Sequence, residues 1–585
     1  MKEWLKTHQQ EHKSAFILAL VIGIIFILPH TLMPILSGND YSPLVVKGVD
    51  ARTVDEVLYA QYLREVMDGH FIAASNVYEQ KQVQTFSHIG APFPSFVLGM
   101  IAKLIGIEYT YYLSLFMFTA LSSLLIYALA YKLTQNRIVA LMTPGLLFFS
   151  PTYMIKFFTD NITQPISYFS RFYPVLFDFP VLAAALLMLL IAIEKKSWIC
   201  AMITGIIGGL LFYTYFYYWT FYGVFLIIIF MTHIKNRKTA MMIAASAIIT
   251  LLIGLPFLIA FLQGSSTQDI ITRHITDAGR TINIPITLLL IGTLIALTMT
   301  KRLREEKQDN SFINALIISS IIIMNIQLIV GFTVSPRHWL TTTIWPILIL
   351  AGAYIIHQLL TKFWRDEFYS AIKGVIVIFL IFGAVWQSTY AFTMAPAYTL
   401  SESHQELFQW LNKNTQNDDV VAALNSELIL LVPVYTHNNN YIPNAITEST
   451  SLKENIERRL HVYKILNTAP DQFVFLEDAC AIKTLWKNEF ENVKGAQYRY
   501  DLFEPALSHL LTFHIASEVI ADECQVKANV KESVISLYNT LPRAPKYRMD
   551  YVIVSSVEKD VLNADIKNIG TVVFENEQFK VIKTN

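Results

Sequence analysis

Cysteine is scarce in this sequence: three residues in 585. Cys200 lies in an apolar run, and Cys480 and Cys524 lie toward the C-terminus. No pair has metal-ligand or redox spacing, and the only disulfide left open is one between Cys480 and Cys524 if their region is extracytoplasmic. An excess of charge of either sign is also missing. Lys and Arg number 45, Asp and Glu number 45, and the formal net charge is zero. Such a chain offers no basic surface for nucleic acid. There is no P-loop, no glycine-rich dinucleotide fingerprint, no His-Glu-x-x-His and no nucleophile elbow. No internal repeat or low-complexity tract occurs. Charge is nearly absent from the long apolar runs themselves, apart from Asp178 near the end of one of them.

Hydrophobic residues make up 54% of the chain, and the mean hydropathy is +0.43. That is too apolar for a soluble protein of this length. Apolar runs of bilayer-spanning length follow one another up to about residue 393. The expected spans are roughly 14–36, 109–133, 138–157, 175–193, 198–214, 217–233, 240–262, 285–300, 312–332, 340–361 and 374–393. The fold class is therefore a polytopic α-helical membrane protein with about eleven transmembrane helices. No small-residue cleavage site follows the first segment, which reads as a retained helix.

The Lys and Arg of the connecting segments fall on one side. They are Lys132 and Arg137, Lys195 and Lys196, the clusters at 235–238, 301–307 and 362–373, and the N-terminal Lys2, Lys6 and Lys13. That side is cytoplasmic by the positive-inside rule. An odd number of spans then puts the C-terminal region outside. The aromatic cluster Tyr213, Tyr215, Phe216, Tyr217, Tyr218 and Trp219 falls at an external end, where an interfacial belt belongs. The expected localisation is multi-pass in the cytoplasmic membrane.

Two domains follow. Residues 1–395 form the membrane domain, with 37–108 as a long first external loop. Within that loop 95–107, interrupted by Lys103, reads as a juxtamembrane helix. From about 396 the composition turns polar. A helix near 406–412, a strand at 420–424, a helix at 452–465, a strand at 551–555 and strands within 571–583 turning near Asn576 predict an extracytoplasmic α/β domain over 396–585.

One stretch of the first loop organises the rest: Thr53-Val54-Asp55-Glu56-Val57-Leu58-Tyr59-Ala60. Thr53 followed by Glu56 is a capping box and predicts a helix start. Asp55 then lies in the first turn, where the helix dipole favours an anion. Val54, Val57, Leu58 and Leu63 recur at helical spacing, so one side is expected along the bilayer surface.

Asp-Glu-x-x-Tyr-Ala, followed by Arg64-Glu65-x-Met67 and Gly69, resembles the first external loop of the GT-C glycosyltransferases. The protein O-mannosyltransferase and aminoarabinose-transferase branch is the nearest in pattern. The resemblance implies that Asp55 is the catalytic carboxylate, with Glu56 beside it and mainly occupied in the cap, and Tyr59 among the substrate contacts. His88, in His88-Ile89-Gly90-Ala91-Pro92-Phe93-Pro94, matches the place of a His/Lys-Pro-Pro-Leu element, although Phe93 splits the double proline. Asp160 matches a further acidic residue of the second external loop, and Arg171 follows it. Arg337-His338-Trp339 before Trp345-Pro346-Ile347-Leu348 resembles a late Arg-aromatic-x-x-x-Pro-x-Leu pattern. A guanidinium there suits bidentate contact with a phosphodiester, with His338 as a second phosphate contact.

The cytoplasmic loops are too short to fold a nucleotide-sugar-binding domain. The donor implied is a polyprenyl-phosphate sugar, and the acceptor a lipid-linked, glycan or protein hydroxyl, with membrane lipids around the chain and no nucleic acid. The expected function is an inverting glycosyl transfer at the outer membrane face, with a loop Asp as general base. No metal ligands are assigned, and a divalent cation as cofactor is left open. The alternative is a multi-pass transporter or flippase of lipid-linked or polysaccharide intermediates, which places charged residues within the spans.

Overall fold

The structure is a computed structural model. It describes residues 12–44, 54–71, 77–83, 92–149, 162, 166–170, 175–263, 275–278, 280–304, 310–334, 336–363, 367–443, 452–470, 520–521, 525–526, 528–556 and 569–584. The chain divides into two compact units. The first contains Met1–Leu36, Thr110–Ile259 and Ile275–Ala395; the second contains Ser37–Tyr109, Ala260–His274 and Pro396–Asn585.

The first unit is helical. Among the described residues eight helices are long and apolar enough to cross a membrane: Lys13–Ser37, Ile107–Thr134, Leu176–Lys195, Phe216–His233, Arg237–Ala260, Ser311–Val330, Pro336–Leu360 and Ser370–Ala397. Three further expected spans coincide with shorter apolar helices, Arg137–Phe148, Trp198–Tyr213 and Ile284–Thr300. Each expected run thus coincides with a helix over at least part of its length, and among the described residues eight combine the length and apolarity of a span. Proline inside these helices (Pro29, Pro34, Pro144, Pro180 and Pro256) is tolerated because packed neighbours satisfy freed backbone groups.

Small residues set the close packing. A Cβ on Gly209 would stand 2.5 Å from the Cβ of Ile253, and the Thr250 hydroxyl donates to the Gly205 carbonyl at 3.2 Å. Apolar helices without a hydrophobic drive to associate gain contact through such approaches. A two-stranded antiparallel sheet, β1 (Ile275–Ala278) and β2 (Phe332–Val334), also belongs to this unit.

The second unit carries a five-stranded sheet of order β4-β3-β7-β9-β8, with β3 Val420–Ala422, β4 Asn439–Asn440, β7 Tyr551–Ser555, β8 Gly570–Glu575 and β9 Phe579–Thr584. A separate short antiparallel pair joins β5 (Ile520–Ala521) to β6 (Gln525–Val526). β4, β3 and β7 run parallel, and β7, β9 and β8 antiparallel. Every residue of β7, Tyr-Val-Ile-Val-Ser, is buried, as a central strand covered on both faces requires. The helices Glu402–Asn414 and Leu452–Ile465 complete an α/β arrangement with a core of Val420, Ala422, Tyr441, Leu460, Tyr463, Val552 and Ile582. The strand and helix positions read from the sequence agree within a few residues.

The first-loop helices Val54–Met67, Tyr78–Val83 and Pro92–Ile105 belong to this unit. The expected bilayer-facing stripe on Val54–Met67 is corrected here. Val57, Leu63 and Val66 are buried, and so are Ala60, Gln61, Tyr62 and Glu65. The helix packs on Pro92–Ile105 and on Ser426–Tyr435, where the Gln61 amide donates to the Leu430 carbonyl at 2.9 Å. Of the stripe expected to meet lipid, Val57 and Leu63 are thus covered by protein, and the side chains of Val54 and Leu58 lie outside the described residues.

Gly99 lets the two loop helices touch. A Cβ there would lie 2.5 Å from the Val66 Cβ and 2.7 Å from its Cγ1. A rotamer change moves Cγ1 and leaves Cβ in place, so the helices must part. Gly99→Ala is expected to cost about 1–3 kcal/mol, the usual range for overpacking. A melt of the purified protein in detergent measures it. Val66→Ala in the same chain removes only the Cγ1 clash and should recover part of the loss.

Candidate functional site

In the first unit, Arg337 and His338 do not sit in a turn ahead of a span, as expected. They are the first turn of the Pro336–Leu360 helix. Pro336 stands at the first helical position, where its missing N–H is no loss. The next turn, Leu340–Ile344, is a π-helix, in which the Trp345 N–H bonds back to the Leu340 carbonyl. The carbonyls of 337 and 338 receive hydroxyl donors instead: Thr341 Oγ1 to Arg337 O at 2.9 Å and Thr342 Oγ1 to His338 O at 2.6 Å. π-turns of this kind recur at functional sites.

Arg337 is exposed, and its guanidinium has no partner among the described residues. Its neighbour is held from three sides. The His338 ring stacks on Tyr217 with centroids 4.8 Å apart and planes at 11°. It meets Tyr215 edge-on at 5.7 Å, and the Tyr215 hydroxyl hydrogen-bonds His338 Nδ1. Trp339, 3% exposed, fixes the turn by donating its indole N–H to the Tyr217 carbonyl and to Thr220 Oγ1, both at 3.1 Å. The tract read as an interfacial belt thus supplies the walls of the His338 site.

Asp178 is fully buried in the same unit, in the first turn of Val175–Lys195. Its carboxyl faces the Tyr215 backbone amide, at the start of Phe216–His233, outside ordinary hydrogen-bond geometry. Two helix N-termini therefore point their positive ends at this carboxyl.

In the second unit, Val54–Met67 begins as the Thr53/Glu56 pattern predicts. Thr53 itself lies outside the described residues, as do His88, Asp160 and Arg171. Of Asp55, the helical backbone alone is described. Glu56 is 7% exposed, and Tyr59 is half-buried with its ring 6.4 Å from Tyr62.

The same helix carries a charge cluster that the sequence reading missed. The Lys81 ammonium lies 2.7 Å from Glu65 Oε2 and 2.8 Å from Asp418 Oδ1, with the lysine side chain 5% exposed. His70 Nε2 reaches Asp418 Oδ2 at 3.3 Å. Burial pushes the Glu65 carboxyl up to about 7, against the pull of Lys81. Burial lowers the Lys81 value, but the charges of Glu65 and Asp418 outweigh it and the net shift is upward. The hydrogen bond to Asp418 raises His70, and the same bond, with Lys81, holds Asp418 well below the usual carboxylate range. Asp418 takes a positive φ of 67° to do this, a conformation non-glycine residues seldom adopt. Glu79, beside Lys81, binds Arg458 at 2.8 Å and the Arg548 N–H at 3.1 Å. Single charges in a polar loop carry no periodicity, so nothing local in the sequence marked this cluster. Among the described residues, no group of His, Cys, Asp and Glu is arranged to hold a metal ion.

No family model and no curated protein sequence matches the chain. Among solved structures, the chain is similar to ArnT from Cupriavidus metallidurans bound to undecaprenyl phosphate, at 12% identity and TM-score 0.42, over 71% of this chain and 84% of that one. It is likewise similar to the apo form of that protein, at 13% identity and TM-score 0.41, over 71% and 84%.

The charge cluster makes a pH prediction. Glu65 and His70 both have values raised above those of the unfolded chain. Stability from such groups is present at low pH and is lost as pH rises through the raised values. Asp418 acts oppositely, but its window lies at acid pH. Between pH 6 and 8 the Val54–Met67 helix is therefore expected to open more easily as pH rises. Hydrogen exchange corrected for the intrinsic rate should show it, and Glu65→Gln should flatten most of the trend.

Proposed function

We propose that the chain is a GT-C-type glycosyltransferase, which moves a sugar from a polyprenyl-phosphate donor to an acceptor hydroxyl at the outer face of the cytoplasmic membrane. One observation carries the reading. Arg337 stands exposed in the first turn of a long apolar helix, with no partner among the described residues. A cation at a helix N-terminus is electrostatically misplaced, because the dipole there is already positive. Both fields are satisfied by one bound anion, and His338 adjoins it. An anion at the end of an apolar helix that also needs planar, bidentate recognition fits the phosphate of a lipid carrier.

In this reading the acceptor hydroxyl attacks the anomeric carbon, and Asp55 takes its proton as general base. The bond from that carbon to the phosphate oxygen breaks, and the phosphate leaves with the electron pair, its charge stabilised by Arg337 and His338. Direct displacement inverts the anomeric centre. Glu56 closes the helix cap beside the base. Tyr59, His88 and Arg171 are assigned to substrate binding, and Asp160 is the second candidate for the base. The first loop and residues 396–585 lie outside the cytoplasm, as the Lys and Arg distribution supports. A transporter would draw on charges inside the spans.

The test is sugar transfer by purified protein from radiolabelled polyprenyl-phosphate sugars. Asp55→Asn should lose roughly 10²–10⁴-fold, the usual contribution of general-base catalysis, with Glu56→Gln retaining most activity. Arg337→Lys should stay impaired in donor use, since it keeps charge without the planar fork. Normal transfer by Asp55→Asn moves the base to Asp160. Unchanged donor affinity in both Arg337→Lys and Arg337→Ala reduces Arg337 to a helix anchor and removes the main support.

A further inference from the structure

We propose that Tyr215 is a positioning residue for the donor phosphate, fixing His338 so that its Nε2–H points the proton at the anion. The inference rests on the reading of Arg337 and His338 as the phosphate site. A neutral imidazole has one donor nitrogen and one acceptor, and the partner of one decides the role of the other. Here the partner of Nδ1 is a phenol hydroxyl. Of the two groups the phenol is the natural donor, which makes Nδ1 the acceptor and leaves the proton on Nε2. Nε2–H is then a donor, as an anion demands.

The ring has little freedom to choose otherwise. Tyr217 stacks flat against it, and Trp339, the next residue in the chain, is bonded to Tyr217 O and Thr220 Oγ1. Rotation of the ring in that plane is resisted by the Tyr215 hydroxyl at Nδ1. The Tyr215 ring is itself packed against Tyr217 and Tyr218, with centroids 4.8 and 6.1 Å away. Tyr215, Tyr217 and Thr220 come from one short stretch, and His338 comes from a helix start more than a hundred residues later in the sequence. That arrangement positions a single imidazole, which a lipid-facing aromatic belt has no need to do.

The experiment is equilibrium binding of a synthetic polyprenyl monophosphate to the full-length protein in detergent, with the matching polyprenol as the phosphate-free control. Tyr215→Phe keeps both ring contacts and removes one hydroxyl. It should weaken phosphate binding roughly two- to tenfold, the range of one net hydrogen bond, and leave polyprenol binding and the melting temperature unchanged. In a His338→Ala background the same change should have no further effect, because the two residues act as one unit. His338→Gln places an amide N–H near the Nε2 position and should retain binding, whereas His338→Asn places it near Nδ1 and should bind like His338→Ala. An equal cost of Tyr215→Phe with and without His338 overturns the proposal, as does full binding by His338→Asn with none by His338→Gln. If His338→Ala binds the phosphate normally, the phosphate-site reading itself fails.

Discussion

The second unit depends on one buried ammonium. Lys81 is shared between Glu65 of the Val54–Met67 helix and Asp418, just ahead of β3. An unpaired charge at that depth costs several kcal/mol, and two well-placed carboxylates offset it. Asp418 accepts a left-handed backbone to reach its place, and His70 occupies its second oxygen. Glu79, two residues before Lys81, ties the same short helix to Arg458 and to the Arg548 amide. The Arg458 guanidinium lies 3.7 Å above the Tyr547 ring. Through these contacts the first-loop helices Val54–Met67 and Tyr78–Val83 are tied to the residues around the sheet.

The consequence for chemistry is rigidity. In the proposed reading Asp55 is a general base, and such a base must be held near one geometry. Val57 and Leu63 of the Val54–Met67 helix are covered by protein, and the helix packs on Pro92–Ile105 and Ser426–Tyr435. The helix that starts at the Asp55-Glu56 pair is thereby placed by side-chain packing and ion pairs. In the first unit the equivalent constraint is the aromatic wall around His338. There stacking and one phenol hydroxyl restrain an imidazole next to an exposed guanidinium.

Much of this was legible in the sequence. Among the described residues eight of the eleven apolar runs are helices long and apolar enough to cross a membrane and three coincide with shorter ones, as expected where a helix must satisfy its own backbone inside a bilayer. The strand at Tyr551–Ser555 and the helix at Leu452–Ile465 were readable from alternation and helical periodicity. The length of the helix at Arg137–Phe148 was not, since apolar composition continued beyond the helix that formed. Arg337 was legible as an oddity of composition, a guanidinium beside an apolar run. Its place inside the helix was not, because Pro336 fits a turn and a first helical position equally well.

By itself, then, the sequence determined what depends on composition and local period: membrane insertion, the order of elements, the helix start at the Asp55-Glu56 pair and the arginine at a span's end. Tertiary structure alone decided which distant residues meet. Nothing local distinguishes Lys81 from any loop lysine, or Tyr215 from the aromatic residues around it. Lys81 gains its role from Asp418, more than three hundred residues away, and Tyr215 from His338, more than a hundred away. Ion pairs and hydrogen bonds act over a few ångströms and are indifferent to separation along the chain. Only the folded arrangement could bring those partners together.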